Sequence, residues 1–319
     1  MKKGNLAKLS RGCLLCLLIT MTGCYIQVGG GCPMLAQYEK IVQLSAPLPP
    51  GSTFAAQTHN GSITITGADV TDCNLTATII ARSVTEEGAK KLAEQIKITL
   101  EPVGDRLTAR IEKPAFMMNQ SVTVNLNVTV PNQTSLELTT HNGAVEITNI
   151  TGQTNATTHN GRVTASNISG STALKTHNGS ITCKQISGDM NLRTHNGRVT
   201  ASHISGNTAL KTHNGSVTCK LISGDMNLRT HNGSVKVFYS ETAPPICDIS
   251  IVTHNGGIDF TAPTNLSAET EISTHNGSIN TDLPITIIGK LTKRKLTGKV
   301  GAGEGKLRLE THNGSIKIK

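Results

Sequence analysis

After Gly179, apolar side chains fall at Ile181 and Cys183, and nine residues later, after Gly188, they fall at Met190 and Leu192 in the same phase. Alternation with a period of two is the mark of a half-buried strand, so each such stretch predicts two short strands. The pairs Asn178-Gly179 and Ser187-Gly188 punctuate them as turns. Asn and Gly both tolerate positive φ, which a sharp corner is expected to require. On that ground Asn142-Gly143, Asn160-Gly161, Asn178-Gly179, Asn196-Gly197, Asn214-Gly215 and Asn232-Gly233 are read as structural turns.

The turn belongs to a longer motif, Thr-His-Asn-Gly, which occurs ten times, with its histidine at positions 59, 141, 159, 177, 195, 213, 231, 254, 275 and 312. From His141 to His231 the spacing is 18 at every step, and residues 159–194 repeat as 195–230 with four differences, a duplication of a two-unit block. Later spacings lengthen to 23, 21 and 37, which reads as loops inserted into equivalent units. Two all-β architectures fit. Asn-Gly between alternating strands is a strong hairpin signal, which allows an antiparallel β-meander. A meander, however, leaves a long apolar face with nothing to cover it. In a β-solenoid of 18 residues per coil the two nine-residue halves enclose their own core and each coil stacks on the last.

The solenoid also gives order to the interior positions. Ile150, Ile168, Ile186, Ile204 and Ile222 would form one column, Ala165, Cys183, Ala201 and Cys219 a second, and Thr172, Met190, Thr208 and Met226 a third. Small and large residues then alternate along a stack, which fills a narrow interior without voids. Cys183 and Cys219 would lie two coils apart, about 9.5 Å, beyond the roughly 7 Å Cα limit for a disulfide. They read as small buried hydrophobes. Of the eight cysteines, Cys32, Cys73 and Cys247 are left with no regular pairing.

The first residues predict an address. Lys2, Lys3, Lys8 and Arg11 precede a short apolar run from Cys13 to Met21, as in a secretory leader. That run is about half of the roughly 20 residues a membrane-spanning helix needs. It ends in Met21-Thr22-Gly23-Cys24, which resembles a bacterial lipobox and marks Cys24 for diacylation. Two acyl chains suffice for stable membrane attachment. The expected organisation is a leader at 1–23, an anchor segment and linker at 24–50, a β part at 51–139 with one helix at about 84–97, and the repeat solenoid at 140–319 with a basic loop at 290–306. The helix is read from a capping box of Ser83 with Glu86 and an apolar stripe of Ala89, Leu92, Ala93 and Ile96. Flanking strands are expected at 74–81, 106–112 and 121–130, with the helix shielding strand edges at one end.

Loss of the leader's four cations would lower the formal charge from +9 to +5. The remaining excess concentrates at 290–308, where seven Lys and Arg face one acid, Glu304. With three Tyr, four Phe and no Trp, the chain lacks the stacking partners that nucleic-acid binding uses, which argues against that partner.

Four stretches carry a resemblance across nearly all of the chain beyond the leader: THNGSITITG at 58–67, the helical ARSVTEEGAKKLAEQIKITLEP, VTVNLNVTVPNQTSLELTTHNGAVEI, and LPITIIGKLTKRKLTGKVGAGEGKLRLETHNGSIKI. In this order they resemble the bacterial adhesin-like β-strand-repeat domains of unknown function, related to auto-transporter adhesin head domains. The resemblance implies a β-solenoid envelope protein and no set of catalytic residues. This chain departs from the family pattern in its uniform His before Asn.

Stacked coils would bring His141, His159, His177, His195, His213 and His231 to one corner about 4.8 Å apart. Such a row offers neighbouring imidazoles to Zn²⁺, Cu²⁺ or Ni²⁺. The plainer reading is that His was copied by duplication, since no acid or cysteine recurs beside it to complete a coordination shell. Protonation of the row below pH about 6 would bring like charges together and destabilise the stack. Calcium-roll chemistry needs an Asp in every unit, and only Asp189 and Asp225 recur. Threonine ranks for ice binding are spread over corner and interior positions. No phosphate loop, nucleophile elbow or His-Glu-x-x-His motif is present, and no cofactor is expected. The expectation is a non-catalytic, lipid-anchored envelope protein that is adhesin-like or structural. Its partners would be the membrane through Cys24 and an envelope glycan, another surface protein or a second copy. Metal binding is the alternative, and an envelope polysaccharide-acting enzyme a more distant one.

Overall fold

The computed structural model describes residues 35–114, 119–288 and 292–319. Cys24, Cys32 and Lys290 lie outside them. The described residues form a flattened β-solenoid whose two faces are a 13-stranded and a 14-stranded sheet, with one apolar core between them. No helix among these residues is long and apolar enough to cross a membrane.

A single coil shows how the sequence closes. Strand Thr172–Thr176 lies in the second sheet, the chain turns at His177-Asn178-Gly179, and strand Ile181–Ile186 returns in the first sheet. Each strand pairs parallel and in register with its equivalent 18 residues away: Leu174 with Leu192, Cys183 with Ala201, Ile186 with Ile204. The three expected interior columns are all buried. The antiparallel meander is thereby replaced by the solenoid. Two coils separate Cys183 from Cys219 and both thiols are free, as are Cys73 and Cys247.

Among the Asn-Gly pairs positive φ occurs at Gly61, at 141°, and at none of the six pairs between Asn142 and Gly233; within the repeats it lies mainly on non-glycine residues. It falls on Asn149, Asn167, Gln185, His203 and Leu221, at 55–60°. Each of these residues sits one before the buried Ile column, where a single left-handed residue shifts the strand's phase and turns the next Ile inward. The corner glycines are needed for a different reason. A Cβ at Gly197 would overlap the carbonyl oxygen of Gly179 on the neighbouring coil, and the same holds at Gly161, Gly179 and Gly215.

Both ends depart from strict succession. Strand Thr53–Asn60 pairs in register with Ser135–Asn142, so the first THNG joins the stack directly despite a sequence separation of 82 between Asn60 and Asn142. The intervening chain joins the preceding strand Ala36–Pro47 in an antiparallel end, in which Ala36–Pro47 and Ser121–Pro131 flank Asp72–Ser83. Residues 36–47, expected within the linker, are thus an edge strand. Helix Glu86–Gln95 packs on Ala36–Pro47 and Asp72–Ser83 through Ala89, Leu92 and Ala93. Its N-cap is Thr85, whose Oγ1 accepts from the Gly88 N–H at 3.1 Å, and not Ser83 as expected. Ser83 stays in the strand ladder opposite Ala36, which moves the helix start past it.

At the other end, strand Gly305–Asn313 inserts between Asp248–Asn255 and Ala268–Asn276 and pairs parallel with both. The last coil in sequence is therefore internal in space. The region expected as a basic loop contains strand Lys295–Val300, antiparallel to Ala268–Asn276. That pairing sets Lys295 and Lys299 3.8 Å and 3.5 Å from Glu271 and Glu269, so part of the basic stretch is ion-paired.

Candidate functional site: the histidine corner

Three of the four motif residues have a structural task. The threonine is buried, and its hydroxyl donates to the corner glycine carbonyl of the adjoining coil, as from Thr176 to Gly161 at 2.9 Å and from Thr194 to Gly179 at 3.0 Å. The asparagines form a side-chain ladder in which each Nδ2 donates to the next Oδ1 at 2.7–2.8 Å, unbroken from Asn276 through Asn313 and Asn255 to Asn60. The glycine permits the close coil-to-coil approach. Sequence reasoning missed the ladder, although a fixed 18-residue Asn repeat in a parallel stack places equivalent amides about 4.8 Å apart, within reach of one another.

The histidine is the exception. All ten project outward, with His177 half-buried and the rest exposed. They form one continuous row in the order His59, His141, His159, His177, His195, His213, His231, His254, His312, His275, with ring centroids 4.6–4.9 Å apart. The six imidazoles expected together are together, and four more join them. At His141 and His231, Nδ1 lies 3.0 Å from the following asparagine's Oδ1. His177 has its pKa held below the ordinary value by partial desolvation and by the neighbouring His159, His195 and Lys175. Among the described residues no group of three or more His, Cys, Asp or Glu is placed to hold a metal ion.

A second row runs beside the first. Two residues before His177, His195, His213 and His231, on the outer face of the second sheet, Lys175, Arg193, Lys211 and Arg229 occupy consecutive coils in direct register. Across the corner Arg162 and Arg198 add charge on alternate coils. None of these six forms an ion pair among the described residues. The two rows bound a shallow cleft of about 410 Å³ floored by Thr194, Thr212 and Thr230. A larger cleft of about 890 Å³ continues along the same corner from His177 to His59, walled by Arg106, Arg110 and Val122. Its one carboxylate, Glu137, is held by Arg106 at 2.6 Å.

The buried nucleophiles are inert by placement. Burial pushes the Cys219 thiol up to about 12, and burial with nearby Asp72 does the same to Cys73.

Fold and corner together define a parallel β-solenoid with a repeated polar edge. The chain belongs to the Toastrack DUF4097 family, which matches residues 62–319. It is similar to three solved structures, each 12% identical and covering 88% of this chain. The first is a "putative cell adhesion protein" from Clostridium sporogenes, with TM-score 0.24 and 99% of that chain covered. The others, each with 97% of its chain covered, are a "putative adhesin" from Bacteroides fragilis, TM-score 0.39, and a "putative lipid binding protein" from Parabacteroides distasonis, TM-score 0.42. No curated protein matches the chain.

Proposed function

We propose that this protein is an exported, lipid-anchored, non-catalytic scaffold of the bacterial envelope that binds a partner repetitively through its histidine corner. The observation carrying this reading is the corner itself: ten copies of one outward-facing side chain in an uninterrupted row. An enzyme needs one constellation of unlike groups, whereas this edge repeats like groups, which suits weak multivalent contact. The leader ending in Gly23-Cys24 supports export and anchoring. In the native host, metabolic labelling with a palmitate analogue is expected to mark the protein in the membrane fraction, and Cys24→Ser is expected to abolish both label and sedimentation. An unlabelled wild-type protein in the soluble fraction would overturn the reading.

Metal capture is the second reading, favoured by centroid separations of 4.6–4.9 Å between neighbouring imidazoles. Zn²⁺ titration by calorimetry of the wild type against the triple variant His141→Gln, His159→Gln, His177→Gln decides it. Saturable uptake by the wild type that falls in the variant supports it, and equal, negligible uptake by both removes it.

A further inference from the structure

Between Thr154 and Val235 the chain carries eight Lys and Arg against two acids, Asp189 and Asp225. Both acids lie at the opposite corner, where Asp189 accepts from the Asn207 N–H at 3.1 Å and Asp225 from the Asp248 N–H at 2.9 Å. They are occupied in joining coils and sit too far along the strand to neutralise the cationic row. In parallel register Lys175, Arg193, Lys211 and Arg229 stand about 4.8 Å apart, closer than the roughly 8 Å over which physiological salt screens exposed charges. Four like charges at that spacing repel one another, and binding an anionic partner relieves the repulsion.

We propose that the groove between this cationic row and the histidine row binds a linear acidic polysaccharide lying along the solenoid axis. This rests on the envelope-scaffold reading above and names its partner. Three features select that occupant. A straight row of equally spaced cations fits a polymer whose negative charges also recur at a fixed step, and the coil rise is close to the length of one sugar residue in an extended glycan. The groove walls are imidazole edges and cationic side chains, polar partners that suit hydroxyl-rich rings. Among the described residues no aromatic side chain lines either cleft apart from the histidines, and those residues offer no base-stacking platform of the kind a single-stranded nucleic-acid site uses. The groove runs from Arg229 to Lys175 and on through the larger cleft toward His59, long enough for several sugars. The ion-paired lysines at 295 and 299 lie outside it.

The test is retention of the full chain on immobilised dextran sulfate at physiological salt, with immobilised uncharged dextran as the reference. The wild type is expected to be retained on the first and to pass the second. The quadruple variant Lys175→Gln, Arg193→Gln, Lys211→Gln, Arg229→Gln should lose about tenfold or more in affinity, as expected when four exposed charge contacts go together. All four side chains are exposed, and an unchanged β-rich circular dichroism spectrum would establish that the variant folds. The double variant Lys295→Gln, Lys299→Gln changes net charge outside the groove and should lose much less. Equal losses in the two variants, undiminished binding by the quadruple variant, or stronger capture by single-stranded DNA than by dextran sulfate would each overturn the proposal. Failure here with Cys24 still lipidated would leave the scaffold reading intact.

Discussion

His254 stacks on His312 with ring centroids 4.7 Å apart, and His312 stacks in turn on His275 at 4.6 Å. In sequence His275 comes first, so the final THNG unit has threaded between two earlier ones. Its strand takes the backbone hydrogen bonds of both Asp248–Asn255 and Ala268–Asn276. Removing residues 305–319 would therefore extract an internal coil. Hydrogen exchange of that truncation is expected to show lost protection across Ala268–Val300 as well as Asp248–Thr261. If coils followed sequence order, the loss would stay at the Ala268–Thr281 side alone.

The corner glycines make the next prediction. Gly197→Ala places a methyl against the Gly179 carbonyl oxygen, which already accepts from Thr194 Oγ1 at 3.0 Å. Neither coil can retreat without breaking the ladder on its other side. The expected cost is about 3 kcal/mol or more, measured as a drop in the urea midpoint. Gly51→Ala is the control for space, since no atom lies within 4 Å of the added carbon there, although its φ of 84° carries strain of its own.

Two substitutions should stabilise. The hydroxyl of Thr208 is buried without a hydrogen-bond partner, so Thr208→Val removes a desolvated polar group and should gain roughly 1 kcal/mol. Leu221 holds a φ of 55° on an exposed corner, where Asn149 and Asn167 stand in earlier coils. Leu221→Asn should gain about 1 kcal/mol by easing the left-handed strain. A fall in thermal midpoint for either would contradict the corresponding argument.

Most of the stack was legible because the chain repeats. An 18-residue period, buried Ile at every eighteenth position and small-large alternation at Ala165, Cys183 and Ala201 leave little freedom once the coils are parallel. The departures arise where a signal is compatible with two geometries. Asn-Gly marks a corner whether glycine serves positive φ or close approach, and only the stacked backbone distinguishes them. Ser83 with Glu86 satisfies the spacing of a capping box, but a strand ladder claims Ser83 first. The order of the last coils depends on which edge the returning strand meets, and no local residue encodes that. The cationic row was hidden by alternation: Lys175, Arg193, Lys211 and Arg229 are ordinary exposed strand residues until register aligns them, whereas the conspicuous cluster near residue 295 is partly paired with Glu269 and Glu271.

Acid should weaken the fold in a defined direction. The pKa of His177 is lowered in the folded state by desolvation and by His159, His195 and Lys175. The unfolded chain then binds more protons than the folded one, so stability rises with pH. The contribution is fully present above the unfolded histidine value of about 6.5 and is lost as pH falls through it toward the lower folded value. Thermal midpoints are expected to be lower at pH 5.0 than at 7.5, with a smaller difference in His177→Gln. No loss on acidification in the wild type would refute the effect.

Only coils that stack parallel and in register align the histidine row and the cationic row. Oxidative cross-linking reads this directly: Lys175→Cys with Arg193→Cys places thiols on facing residues of adjacent strands, about 4.8 Å apart at the backbone and within disulfide reach. That pair is expected to bridge readily, and Lys175→Cys with Lys211→Cys, two coils apart, to stay reduced within the monomer. Bridging of the second pair in preference to the first would contradict the stack and the binding groove built upon it.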